Sequence, residues 1–113
     1  MSFDDTFTAL RALFKPHENA LILKHDTDTN YYLEETKTAK KPQMFGAVQI
    51  KRNYVSVHLM PIYCEPSLLE GTSDTLRKRM QGKSCFNFKT RDEIPEKELS
   101  TLIEKSVKWL KGP

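Results

Sequence analysis

The stretch from residue 45 to residue 63 limits the fold of this chain more than any other part of the sequence. Within it, apolar residues alternate with more polar ones. An alternation with a period of two residues is typical of a strand in a sheet with one apolar face and one more polar face. We expect two neighbouring strands, over residues 44–51 and 54–63. The polar run 51–53 joins them, and Pro61 bends or ends the second strand because proline cannot donate to the ladder. The alternation itself places Val55, Val57 and Leu59 between Tyr54, Ser56, His58 and Met60.

Two long amphipathic helices are predicted, one at each end of the chain. The first begins at Ser2 or Phe3, with Ser2 as its cap, and Pro16 ends it. The second opens at Pro95 and closes at Gly112. A helix with one apolar stripe must pack that stripe against another layer. The two stripes are Phe3, Phe7, Leu10, Leu13 and Phe14 in the first helix, and Leu99, Leu102, Ile103, Ser106, Val107 and Leu110 in the second.

The sequence between these helices predicts three further strands, one short helix and one polar loop. Turn-forming and polar residues separate the apolar segments, as is usual between strands. The segments are strands at 20–25, 30–36 and 84–89, a turn at 26–29, a loop at 37–43, and a helix at 73–81 capped by Ser73.

The chain is expected to form a single domain over residues 1–113, which is an ordinary size for one folding unit. In chain order the predicted elements run α-β-β-β-β-α-β-α. The simplest packing is a two-layer α+β sandwich: a mostly antiparallel sheet of about five strands, with the N- and C-terminal helices on one face. The other sheet face is left to water or to a partner.

The composition is that of a folded, water-facing protein, since 38% of the residues are hydrophobic and 29% are charged. The longest aliphatic run is far shorter than the ~20 residues that cross a bilayer. The acidic N-terminal sequence lacks the apolar region of a signal peptide. We therefore expect a cytoplasmic protein with no membrane segment, in which Cys64 and Cys85 are thiols.

The run from residue 82 to residue 110, GKSCFNFKTRDEIPEKELSTLIEKSVKWL, together with YVSVHLMPIY upstream, resembles the YdhG-like family of bacterial domains of unknown function. The matching positions are Gly82, Lys83, Phe88 and Pro95, followed by the closing helix. The resemblance covers residues 44–111, and the first forty residues in outline. It implies a frataxin-like α-β-sheet-α sandwich, in agreement with the packing above.

Some members of that family are regarded as frataxin-type iron chaperones, with acidic side chains on the first helix and the strand edge that follows. The corresponding acids here are Asp4, Asp5 and Glu18, and Arg11 and Lys15 interrupt that surface. Because of this departure, an iron role is not the leading hypothesis.

The polar face of the predicted sheet is the candidate binding surface. If Val55, Val57 and Leu59 face the helices, the polar side chains between them face away. An imidazole, a thiol, amides and a hydroxyl on one surface suit a small polar ligand, or a soft or borderline metal ion. An uncovered antiparallel face also needs polar side chains for solvation alone. The candidates are Ser56, His58, Cys85, Asn87 and Gln49.

No catalytic motif is present: the sequence contains no G-x-S-x-G, HExxH, phosphate-binding loop or G-x-G-x-x-G pattern. Nucleophilic attack by Cys85 requires a histidine within hydrogen-bond reach, and the sequence leaves the spacing of the His58 and Cys85 strands open. The residues therefore predict a binding module and not an enzyme. The DTDT run at 26–29 is interpreted as a turn, because the spacing fails the EF-hand pattern.

A second hypothesis is an interaction module for protein or nucleic acid. Residues 37–113 carry fifteen bases against eight acids, whereas residues 1–36 carry seven acids against three bases. A basic patch can bind anions or a nucleic-acid backbone, although such charge runs are often just the wet face of a helix. Dimerisation through the open sheet face is a third alternative. The predicted anion-binding patch consists of Arg77, Lys78, Arg79 and Lys83.

Overall fold

A five-stranded antiparallel sheet is the framework of the computed structural model, which describes residues 3–35 and 44–111. The strands pair in chain order, β1-β2-β3-β4-β5. Ser2 and the predicted loop 37–43 lie outside the described residues. The strands are β1 (Ile22–Asp26), β2 (Asn30–Glu34), β3 (Met44–Ile50), β4 (Val55–Leu59) and β5 (Cys85–Phe88).

The helices within the same part of the chain are α1 (Asp4–Phe14), α2 (Met60–Cys64), α3 (Asp74–Arg77) and α4 (Glu96–Lys111). Short 3-10 turns span Lys15–Ala20, Pro66–Leu69 and Arg91–Glu93. Among the described segments, no helix combines the length and the apolar character needed to cross a membrane.

The terminal helices α1 and α4 pack against each other and cover one face of the sheet, as the two-layer prediction required. Phe14 of α1 is fully buried, and its ring meets the ring of Phe45 edge-on at 6.5 Å between centroids. Val55, Val57 and Leu59 point to this side and are completely buried. The α+β fold class predicted from the sequence is therefore confirmed.

The end of the predicted strand 54–63 is a correction. The strand stops at Leu59, and the next five residues form α2. Pro61 lies in the first turn of α2, where a missing N–H costs nothing and a fixed φ favours helix. The strand does end near Pro61, as expected. Residues 60–63, which were predicted as the last part of the strand, are instead helical.

The short helix α3 is also shorter than predicted. Ser73 caps it, since the Leu76 N–H donates to Ser73 Oγ at 3.3 Å. The helix ends at Arg77 and does not continue to residue 81. The following residues instead pair with the outer edge of β5: the Asn87 N–H donates to the Arg79 carbonyl, and the Gln81 N–H to the Cys85 carbonyl, each at 2.8 Å. Pairing removes the bare backbone groups of an edge strand, which a longer helix would leave unsatisfied.

Smaller differences concern the first helix and the strand ends. Helix α1 ends at Phe14, before Pro16, and the chain continues through a 3-10 turn to Ala20. Strand β1 consequently starts at Ile22 and not at Ala20. The predicted turn at 26–29 is present between β1 and β2, where the Asn30 N–H donates to Thr27 Oγ1 at 3.0 Å.

Candidate ligand-binding face

Two neighbouring cross-strand rows bring the five predicted ligand-binding residues together on the sheet face opposite α1 and α4. In the first row Ser56 pairs with Gln49 on one side and with Asn87 on the other. In the second row His58 pairs with Cys85. The first row, with Asn30 of β2, is called the polar row here: Asn30, Gln49, Ser56 and Asn87.

Residue alternation places both rows on this side. Because successive side chains of a strand point to opposite faces, burying Val55, Val57 and Leu59 under the helices turns Ser56 and His58 away from them. The same rule directs Cys85 and Asn87 outward, while their β5 neighbours Phe86 and Phe88 are completely buried. The predicted face assignment is thus confirmed for β4 and β5.

Ser56 at the centre of the polar row is buried, with only 2% of its surface exposed. Its Oγ has no hydrogen-bond partner among the described residues. A buried hydroxyl without a partner costs free energy relative to a satisfied one. Gln49, beside it, donates from Nε2 to Asn30 Oδ1 at 3.1 Å. The row therefore contains one amide–amide hydrogen bond and, beside it, one buried hydroxyl without a hydrogen-bond partner among the described residues.

His58 and Cys85 are in contact, with 3.5 Å between Nε2 and Sγ. Burial is the main cause that lowers the pKa of His58 and raises the pKa of Cys85. Both directions favour the uncharged forms at neutral pH, so the pair is an imidazole and a thiol. Cys85 Sγ also lies 3.8 Å from Asn87 Oδ1, which links the pair to the polar row.

Lys51, the residue after β3, adds a positive potential to this face. Its ammonium group is the second cause in both shifts: it lowers the pKa of His58 further and partly offsets the raised pKa of Cys85. A positive charge opposes imidazolium and favours thiolate, which explains the two effects. The face thus presents neutral hydrogen-bonding groups beside a cation, an environment better suited to an anion than to a metal ion.

A metal centre finds little support in the donor set. Within residues 3–35 and 44–111, no group of three or more His, Cys, Asp or Glu side chains is arranged to hold a metal ion. His58 and Cys85 supply two donors, whereas protein zinc sites use three or four. The acid Asp26, at the β1–β2 turn, is engaged by Arg11 through Nε and Nη2 at 2.8 and 2.6 Å.

The four members of the predicted basic patch contact different neighbours. Arg77 donates from Nη2 to the Leu69 carbonyl and from Nε to Thr72 Oγ1, each at 3.0 Å. Lys83 lies over the ring of Tyr63, 5.8 Å from its centroid. Arg77 thus supports the loop after α2, and Lys83 attaches the loop after α3 to Tyr63 of α2.

The other two members of the patch, Lys78 and Arg79, line a groove of about 500 Å³ at the outer edge of β5. Asn87 of the polar row is part of the same lining, so the groove opens directly from the candidate face. This groove, called the β5-edge groove here, is lined by Tyr54, Lys78, Arg79, Met80, Gln81, Asn87, Lys89 and Glu93.

Six residues of this region are absent from the candidates predicted from the sequence: Asn30, Tyr54, Met80, Gln81, Lys89 and Glu93. The period of two carried a signal for two of them, since Tyr54 precedes Ser56 by two residues and Lys89 follows Asn87 by two. Asn30 lies on β2, and its place in the polar row depends on the pairing register with β3, which local sequence leaves open.

The class that these features define is an α+β sandwich whose open sheet face has polar, partly buried side chains. Comparisons of the chain with protein-family models, with curated proteins and with solved structures each give no match.

Proposed function

We propose that this protein is a small cytoplasmic binding module, not an enzyme, that holds a small polar ligand on its open sheet face. The binding residues are Gln49, Ser56, His58, Cys85 and Asn87. The observation that carries the proposal is the buried Ser56 hydroxyl, which lacks a partner at the centre of the polar row. The hydroxyl is itself buried, so a ligand atom that hydrogen-bonds to Ser56 Oγ requires the neighbouring side chains to move aside, and the bond then removes this cost.

The neighbouring groups fit a ligand that accepts and donates several hydrogen bonds. Gln49 and Asn87 flank Ser56 with amide groups, which both donate and accept. His58 and Cys85 are uncharged and half-buried, so they offer directional contacts without a strong field of their own. Lys51 supplies the nearby positive charge. A small polar molecule uses this combination more fully than a metal ion does.

The non-enzymatic part of the proposal is supported by the state of the His58–Cys85 pair. A nucleophilic cysteine needs a lowered pKa and a base that a third group orients. Here burial raises the pKa of the thiol, and Asn87 contacts the cysteine and not the histidine. The two side chains are as close as in a catalytic dyad, but the thiol stays protonated, which supports a binding role and not a nucleophilic one.

We retain the YdhG-like resemblance as part of the proposal, supported by the shared α-β-sheet-α layout. An iron-chaperone role is not part of it. Of the acids that the resemblance implies, Glu18 accepts from the Tyr31 hydroxyl at 2.5 Å and lies 3.8 Å from Lys15 Nζ. The nearby Asp26 is paired with Arg11. The interaction-module hypothesis is kept as the alternative outcome of the tests below.

A titration followed by backbone amide NMR tests the proposal. The ¹⁵N-labelled protein is titrated with a panel of neutral, anionic and cationic small polar molecules, and separately with Zn²⁺ and Fe²⁺. We expect a saturable response at Ser56, His58 and Asn87 with members of the small-molecule panel. The double variant His58→Ala/Cys85→Ser should lose that response while its unfolding free energy stays within ~1 kcal/mol.

A matched control is Thr101→Ala/Lys108→Ala on the exposed side of α4, which should leave the response unchanged. Failure of the whole panel to shift the open face would remove the proposal. Light scattering on the same samples distinguishes dimerisation through the open face, since that alternative predicts a concentration-dependent doubling of mass.

A further inference from the structure

We propose that the ligand class is a small organic anion with an apolar part, and that its charged group lies in the β5-edge groove. This inference rests on the proposed function, because the groove and the polar row share Asn87. The groove extends the open face and gives it a charge preference that the polar row alone lacks.

The charge balance of the groove is positive. Lys78, Arg79 and Lys89 line it together with a single acid, Glu93. Glu93 is already engaged: its carboxylate lies 3.3 Å from Arg79 Nη1 and accepts from the Lys89 backbone N–H at 2.7 Å. Neither lysine ammonium pairs with a carboxylate in the described part of the chain. Two exposed cations are therefore left to face an anion.

Arg79, unlike the two exposed lysines, is partly buried and held by neighbouring groups. The Glu93 contact holds one end of its guanidinium, and its Nε is buried without a hydrogen-bond partner among the described residues. Its backbone carbonyl accepts from the Asn87 N–H, which ties the residue to β5. The Arg79 charge is paired with Glu93, so the net positive charge of the groove comes from Lys78 and Lys89, and the Arg79 Nε–H is left as an unused donor.

The apolar part of the ligand is inferred from Tyr54 and Met80. Both are partly buried and line the same groove as the lysines. An aromatic ring and a thioether give an adaptable surface for a flat or aliphatic group. The groove volume of about 500 Å³ is within the range of ~300–1,000 Å³ that small-molecule sites occupy.

Carboxylate and phosphate groups share the required chemistry, so the experiment separates them. The ¹⁵N-labelled protein is titrated at low salt with benzoate, phenyl phosphate and benzamide. Benzamide is the neutral counterpart of benzoate in shape. We expect both anions to shift Tyr54, Asn87 and Lys89 saturably, with benzamide about fivefold weaker or more. The tighter of the two anions identifies the preferred head group.

Charge-removal variants supply the second arm. Lys78→Gln/Lys89→Gln should weaken benzoate and phenyl phosphate about fivefold and leave benzamide unchanged. The control Lys97→Gln/Lys108→Gln removes the same charge from exposed positions on α4 and should change neither. Both pairs are surface changes, so the fold is retained.

Equal binding of benzoate and benzamide, unaffected by Lys78→Gln/Lys89→Gln, would overturn the anionic class and leave the open-face proposal standing, since Ser56 and Asn87 would still respond. No response to any of the three would overturn the inference, while the broader panel decides the open-face proposal separately. A single-stranded oligonucleotide that binds with a steep salt dependence and shifts Arg77 and Lys83 would replace the inference with nucleic-acid binding.

Discussion

Cys85 Sγ lies 3.5 Å from His58 Nε2 across the β4–β5 pair, and burial keeps both groups uncharged. The contact joins two residues 27 positions apart in the chain. It resembles the start of a catalytic dyad, yet the directions of the two pKa shifts oppose proton transfer from thiol to imidazole. The protonation states, and not the distance, are therefore what supports our proposal that the pair takes part in binding.

The pH dependence of stability should report the lowered pKa of His58. Between its folded-state pKa and the higher value of the unfolded chain, the folded protein binds fewer protons. Stability is then complete above the unfolded-state pKa and decreases as the pH falls through this window. We expect His58→Gln to flatten the decrease in unfolding free energy between about pH 7 and pH 5, the region where histidine titrates.

The measurement is urea unfolding at several pH values, with the His58 ring titration followed by NMR. A ring titration midpoint at or above that of a histidine in an unstructured peptide would contradict the shift. His25→Gln, which changes an exposed histidine near the same face, is the control.

The two cysteines should differ in reactivity. Cys64 is exposed, whereas Cys85 is half-buried and burial raises its pKa. Because the thiolate is the reactive form, iodoacetamide at pH 7.5 should alkylate Cys85 about tenfold or more slowly than Cys64. Mass spectrometry of Cys64→Ser and Cys85→Ser gives the two rates separately, and equal rates in urea confirm that the fold causes the difference. Faster alkylation of Cys85 in the folded protein would show an activated thiol instead.

Ser56→Ala should separate stability from binding. Removing a buried hydroxyl that has no partner also removes its desolvation cost, so the free energy of unfolding should stay level or rise by up to ~1 kcal/mol. The same variant should weaken ligands of the open face. A fall of more than ~1 kcal/mol in the unfolding free energy of this variant would mean that Ser56 Oγ is hydrogen-bonded in solution.

Gly46→Ala should disturb the site from its other side. A Cβ at this position would lie 2.8 Å from the His58 carbonyl oxygen and 3.0 Å from Phe14 Cε2. Such overpacking costs about 1–3 kcal/mol, and it should shift the amide signals around His58. Gly82→Ala is the control: its φ of +86° makes a side chain unfavourable, but nothing lies within 4 Å. That variant should lose stability without perturbing His58.

The Arg11–Asp26 pair should contribute to stability only when the carboxylate is charged. Hydrogen bonding to Arg11 holds the pKa of Asp26 below its ordinary value. This stabilisation is present above the ordinary pKa of an aspartate and is lost as the pH falls through the lower folded-state pKa. Because the pair is partly exposed, Asp26→Asn should cost about 1 kcal/mol at pH 7 and much less near pH 3. A cost independent of pH would contradict an ionic contribution.

Local sequence patterns were enough to predict most of the fold. The alternation around Val55, Val57 and Leu59 predicted the buried and the open face of β4, because side chains of a strand must point to opposite sides. The stripes of the two terminal helices predicted that both pack on the apolar face. The Ser73 cap was also correct, since its hydrogen bond reaches only three residues along the chain.

Errors arose in two places, for different reasons. Residues 78–81 have a helical pattern, yet the edge of β5 draws Arg79 and Gln81 into strand-like hydrogen bonds. At residues 60–63 the strand pattern continues while the chain turns into α2. At residues 78–81 the unpaired backbone groups of the β5 edge decided the structure, and a short sequence window does not show them. At residues 60–63 the local preference of Pro61 for the first turn of a helix outweighed the alternating pattern.

The sequence by itself determined that Ser56, His58, Cys85 and Asn87 point away from the core, because alternation depends only on neighbouring residues. Tertiary structure decided that they meet. The register of β3, β4 and β5 sets Gln49, Ser56 and Asn87 in one row and brings His58 to Cys85, and a shift of one residue would send each side chain to the other face. Burial, which also arises only from packing, then keeps the thiol and the imidazole neutral and leaves the Ser56 hydroxyl without a partner.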